Sequence, residues 1–133
     1  MFQGRYIKWN PYPLCEGQRM SCEALHDDWE GFRIWFKSES GPMLIVGFPS
    51  VLFYASSEDA ARLSVVANEV PLRLPHLFWK VEQSALVAEF HRQSCGTRSQ
   101  WNITHYAFLS VNDCIDVLAT EPPVFREHGG IRQ

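Results

Sequence analysis

Residues 31–39, Gly-Phe-Arg-Ile-Trp-Phe-Lys-Ser-Glu, place Phe32, Ile34 and Phe36 in alternation with Arg33, Trp35 and Lys37. A period of two predicts a half-buried strand. Two continuous apolar runs follow, Met-Leu-Ile-Val-Gly-Phe (43–48) and Val-Leu-Phe-Tyr-Ala-Ser (51–56), separated only by Pro49 and Ser50. Joined so tightly, they predict the central part of an antiparallel sheet, or one long strand bent where Pro49 interrupts the ladder. Arg5–Trp9 predicts a short first strand, and Leu77–Val81 another, approached through a segment that Pro71 and Pro75 keep irregular. Near the end, 101–111 and 114–120 are apolar runs around Asn112-Asp113, a pair that tolerates the backbone of a tight hairpin turn.

Helical signals are fewer. The run 56–69 opens on serines, carries Glu58 and Asp59 where the helix dipole favours acids, and shows an apolar stripe of Leu63, Val66 and Ala67. Ser84 to Gly96 reads as a second helix, capped by Ser84 and stopped by Gly96. The segment near 10–29 mixes Pro, Gly and charge and reads as irregular, with a helical turn over Met20–Asp27. Residues 122–133 read as a proline stop followed by a polar tail. The expectation is one α+β domain over 1–133, an antiparallel sheet of about five or six strands with two helices packed on it.

Composition narrows the class. The chain has 133 residues, 46% of them apolar and 20% charged, which suits a globular domain. A net charge of −3 argues against broad phosphate binding, so no nucleic-acid partner is expected. No apolar run reaches the roughly 18 residues of a membrane span, and no targeting segment is visible. The expected location is cytoplasmic, with Cys15, Cys22, Cys95 and Cys114 reduced and acting as small, mostly buried hydrophobes.

Candidate chemistry is sparse. Glu89, His91 and Cys95 fall within seven residues, yet His91 and Cys95 sit at a helix C-terminus. The dipole there disfavours a thiolate and favours a protonated imidazole. The stretch His26, Asp27, Asp28, Trp29, Glu30 could offer metal ligands, but no second His/Glu cluster accompanies it, so it reads as a solvated acidic loop. Ser50 lacks the second glycine of a nucleophile elbow, and no glycine-rich phosphate loop is present. Asp113 is a turn residue, Asp116 lies in a strand, and His105 reads as a satisfied interior or edge histidine. No catalytic residue, metal or cofactor is expected, and the chain reads as non-enzymatic.

The order of segments around Trp79-Lys80-Val81-Glu82-Gln83-Ser84, leading into a helix, then His105–Phe108, Ile115–Ala119 and Glu121–Val124, resembles a group of small, uncharacterised bacterial cytoplasmic proteins of the immunity-protein type. The resemblance covers roughly 79–124, with a looser match over 32–60. It implies a protein that neutralises a bacterial toxin domain by binding it, and it carries over no catalytic residue. The expected mechanism is occlusion of the partner's active site by exposed aromatics ringed by acids: Trp29 and Trp35 with Asp27, Asp28 and Glu30. The alternatives are a small-ligand domain with an aromatic pocket, and a small hydrolase in which two of His91, His105 and the acidic pair meet in a cleft. A homodimer pairing through an edge strand such as 32–37 is a further alternative, although Arg33 and Lys37 there read as edge protection.

Overall fold

The computed structural model describes residues 2–39, 41, 43–58, 76–97 and 100–128. Among these residues the chain forms nine strands and one α-helix. The strands are β1 (Arg5–Lys8), β2 (Met20–Asp28), β3 (Gly31–Ser38), β4 (Met43–Phe48), β5 (Phe53–Glu58), β6 (Phe78–Glu82), β7 (Thr104–Leu109), β8 (Asp113–Ala119) and β9 (Val124–His128). The helix, α1, spans Ala85–Gln93, and a short 3-10 turn covers Pro13–Cys15. The strands divide into two antiparallel sheets, one ordered β1-β6-β7-β8-β5 and the other β2-β3-β4-β9.

The expected α+β arrangement of one sheet and two helices is therefore corrected to a mainly β architecture with one described helix. β4 and β5 are not neighbours; the Pro49 segment carries the chain from one sheet to the other. The first expected helix falls mostly outside the described residues, and its supposed capping serines, Ser56 and Ser57, lie in β5. The segment expected to be irregular with a helical turn is β2 from Met20 onward. A bulge at Glu23 explains the misreading. The register moves from Cys22↔Phe36 to Ala24↔Trp35, so the alternation of β2 breaks in mid-strand. The expected tail contains β9, whose polar Val-Phe-Arg-Glu-His sequence suits an edge strand. β3 is internal, flanked by β2 and β4, which removes it as a dimerising edge.

The half-buried reading of β3 holds in detail. Phe32, Ile34 and Phe36 are buried and Lys37 is exposed. The buried side chains join Leu44, Val46 and Phe48 from their own sheet with Phe78, Tyr106, Phe108, Ile115 and Val117 from the other, so the two sheets pack face to face over one core. Phe108 is its hub, with ring centroids 5.6 Å from Phe36 and 6.1 Å from both Phe48 and Phe78. Asn112, in the β7–β8 turn, ties the sheets at their rim. Its amide accepts from Cys22 N–H at 2.9 Å and donates to Cys22 C=O at 3.1 Å, as a neighbouring strand would.

The second face of the five-stranded sheet is buried as well over β6, β7 and β8. Tyr6, Trp79, Val81 and Ala107 form a second apolar cluster there, and His105, Cys114, Asp116 and Leu118 are almost fully inaccessible. Burial on both faces explains why β8 reads as a nearly continuous apolar run with one acid in it.

Candidate functional site

Two regions carry the candidate chemistry. The first begins where β6 turns sharply into α1. Gln83 takes the left-handed conformation at φ 52°, and Ser84 follows as the N-cap, its hydroxyl accepting from Val87 N–H at 3.1 Å. A non-glycine residue at positive φ stores backbone strain, which the surrounding packing must hold in place. The N-terminal segment straps this elbow. Gln3 C=O accepts from Ala85 N–H, and Gly4, at φ 155°, passes so close that a Cβ would lie 2.4 Å from Val81 Cγ1.

Below the elbow, His105 on β7 and Asp116 on β8 complete a buried chain of polar groups. Ser84 Oγ lies 2.6 Å from His105 Nδ1, and His105 Nε2 lies 2.7 Å from Asp116 Oδ1. When the imidazole carries its proton on Nε2, that N–H donates to Asp116 while the Ser84 hydroxyl donates to Nδ1. The Cys114 thiol approaches the other carboxylate oxygen at 3.8 Å, and the Phe2 ring stands edge-on to the imidazole at 6.2 Å. The His105 side chain is 0% exposed and that of Asp116 2%. Beside the elbow lies an open groove of about 740 Å³, whose wall includes Lys80, Ser84, Val87, Ala88 and Thr104.

His105 is thus an interior histidine with both ring nitrogens paired, as the strand reading expected. The meeting of His105 with Asp116 is one that the hydrolase alternative asked for, although it lies in the interior and not in a cleft; that Ser84 supplies the other pair was missed. The legible signals were a capping serine and an acid inside an apolar run; nothing local said that they meet.

The second region is the tip of the β2–β3 hairpin. Asp28 and Gly31 form the last pair, leaving Trp29 and Glu30 as the turn. Gly31, at φ 107°, occupies a conformation that side chains resist. Arg33 braces the tip with both terminal nitrogens on the Asp28 carboxylate, at 2.9 and 3.2 Å, and approaches Glu30 at 3.6 Å. The hydrogen bonds from Arg33 hold the Asp28 carboxyl below the usual carboxylate range. Trp29 is 90% exposed, and Asp27 is exposed beside it.

Trp35 does not share this setting. It lies on β3 roughly 13 Å along the strand from Gly31, at about 3.3 Å per residue. Its ring is half-buried between His26 and His128, at 6.0 and 5.0 Å, and its indole N–H is buried without a partner. Across the strands it stands beside Ala24 and Ile45, with Arg126 beyond. The expected patch therefore resolves into an acidic tip bearing Trp29 and, further along the same outward face as Arg33, a half-buried Trp35 flanked by imidazoles.

The remaining candidates disperse. Glu89 pairs with Arg92 and Gln93, whereas Cys95 lies beyond the helix, exposed, at φ 54°. His91 is in the last turn, its Nδ1 buried without a partner. All four cysteines are free: Cys15 and Cys114 are buried, Cys22 is intermediate, and Cys95 departs from the buried expectation. Burial, with Glu127 nearby, pushes the Cys15 thiol up to about 11, and burial likewise raises Cys22 to about 11. Among the described residues no three His, Cys, Asp or Glu side chains gather as a metal site, and no helix is long and apolar enough to cross a membrane. A cavity of about 90 Å³ beside Cys15 is far below the roughly 300 Å³ of an ordinary ligand pocket.

Comparison with protein families, with curated proteins and with solved structures returns no match for this chain.

Proposed function

We propose that the chain is a protein-binding domain of the immunity type, which neutralises a bacterial toxin domain in the cytoplasm by occluding its active site. The observation that supports this most is Trp29. An indole 90% exposed at the apex of a two-residue turn serves no core, yet the turn is braced by Arg33 on Asp28 and Glu30. A large, rigid aromatic held out on paired strands is the kind of anchor that dominates interface energies. Asp27, Asp28 and Glu30 around it outnumber Arg33, so the tip complements a cleft lined with basic residues, such as the active site of a nuclease. Occlusion is steric and electrostatic, and asks for no cofactor. Trp35 is not part of this anchor.

The test is native mass spectrometry of the tagged protein recovered from the cells that produce it, for the wild type and for Trp29→Ala. The expected result is a stoichiometric protein partner on the wild type, held about 30-fold or more less tightly by the variant, as loss of a 2 kcal/mol anchor implies. A bound small molecule in place of a protein, or equal retention by both chains, would contradict the reading.

A further inference from the structure

Independently of the binding reading, we infer that Ser84 is an activated nucleophile, able to accept an acyl group from carboxylic esters with short aliphatic acyl chains. Three separate observations converge on its hydroxyl. The serine follows a strained residue at a strand-to-helix elbow, with Gln83 at φ 52°. Its Oγ lies 2.6 Å from an imidazole whose other nitrogen is 2.7 Å from a buried carboxylate. Ser84, itself 8% exposed, is among the residues lining the open groove of about 740 Å³, where Val81, Val87, Ala88 and Ile103 offer apolar walls and Lys80 and Thr104 a polar rim.

A helix cap needs only the lone pairs of Ser84, which Val87 N–H already uses at 3.1 Å. The hydroxyl proton is left to His105, and His105 in turn to Asp116. A well-packed apolar trio of similar volume would often stabilise a buried site as well as such a chain does, so packing alone does not call for it. Proton relay does. The Val87 amide, in the first turn of the nine-residue α1, fixes the position of Oγ. His105 Nδ1, which faces Ser84, can take the proton while the Nε2–H remains on the Asp116 carboxylate. Ser84 and His105 are the catalytic residues, and Asp116 positions the imidazole.

The chemistry balances. Ser84 Oγ attacks the ester carbonyl carbon as its proton passes to His105 Nδ1. The bond from the acyl carbon to the leaving oxygen breaks, and the alcohol departs with that proton. Water then attacks acyl-Ser84 by the reverse proton path, releasing the carboxylic acid and restoring the hydroxyl. The net reaction is ester plus water to acid plus alcohol.

The test treats the folded wild-type chain with a fluorophosphonate, which forms an Oγ–P bond and expels fluoride, and in parallel with p-nitrophenyl butyrate. Peptide mapping by mass spectrometry should find the phosphonate on Ser84 in buffer and not in denaturing urea, with p-nitrophenolate released in the parallel assay. His105→Gln, which keeps hydrogen-bonding capacity without a comparable base, should slow labelling by about 100-fold or more while its circular dichroism remains that of the wild type. Absence of the adduct from Ser84 in the folded wild type would overturn the inference whatever the variant does. So would labelling of folded His105→Gln at the wild-type rate.

Discussion

The two sheets of this domain are alike in pairing and differ in what lies on their second face. In the five-stranded sheet that face is buried over β6, β7 and β8 and opens at the β5 edge, where Phe53 is 41% exposed. The polar groups on it, His105 and Asp116, spend their hydrogen bonds on each other and on Ser84. In the four-stranded sheet the face away from the core carries, around the buried Ile45, charged or half-buried side chains including Arg33, Trp35, Lys37 and Arg126. One residue type can therefore mean different things in the two sheets. A carboxylate in β8 is part of a buried network, whereas the carboxylates at the β2–β3 tip are exposed to solvent, two of them paired with Arg33. The placement of polar groups, more than the strands themselves, separates the part of the molecule that holds the fold from the part to which the proposed function assigns a partner.

The buried His105–Asp116 network should respond most to substitution. Asp116→Ala leaves the buried Nε2 of His105 without its partner, and is expected to cost about 3 kcal/mol, measured as a fall in the urea midpoint at unchanged slope. A loss below about 1 kcal/mol would mean that the His105–Asp116 bond contributes little to the fold, and the contrast between the sheets would collapse.

A smaller, pH-dependent effect should arise just before β6. His76 is buried, with Nε2 2.6 Å from Trp9 C=O, and desolvation lowers its pKa below the ordinary 6.5. The unfolded chain then binds the proton more readily than the folded one. The His76 contribution is accordingly present above pH 6.5 and is lost as pH falls through the lower folded value. Urea midpoints measured from pH 8 down to pH 5 should fall more steeply for the wild type than for His76→Asn. Parallel curves would show that His76 is solvated, against its burial in the fold.

How much of this was legible in the sequence differs between the sheets for physical reasons. β3 was readable because one of its faces meets water and the other the core, which writes alternation into Phe32–Lys37. β8 was readable as a strand from its apolar run. β2 was not, because the bulge at Glu23 breaks its period and Met, Glu, Ala and Leu mimic a helix. β9 was not, because an edge strand of charged residues looks like a tail until β4 is beside it. The site shows the same division. Ser84 was legible as a cap and Trp29 as a candidate anchor, from local signals. The bonds joining Ser84 to His105, 21 residues away, and His105 to Asp116, 11 away, are products of strand order. So is the approach of His128 to Trp35. Residues distant in sequence carry no local mark of such meetings.

The claim that the hairpin tip serves a partner and not the fold is tested most directly by urea unfolding of Trp29→Ala beside the wild type. An indole 90% exposed should leave stability within about 0.5 kcal/mol when removed, as ordinary surface substitutions do. A loss above about 1 kcal/mol would show that Trp29 belongs to the fold, and would contradict its assignment as an anchor held out for another protein.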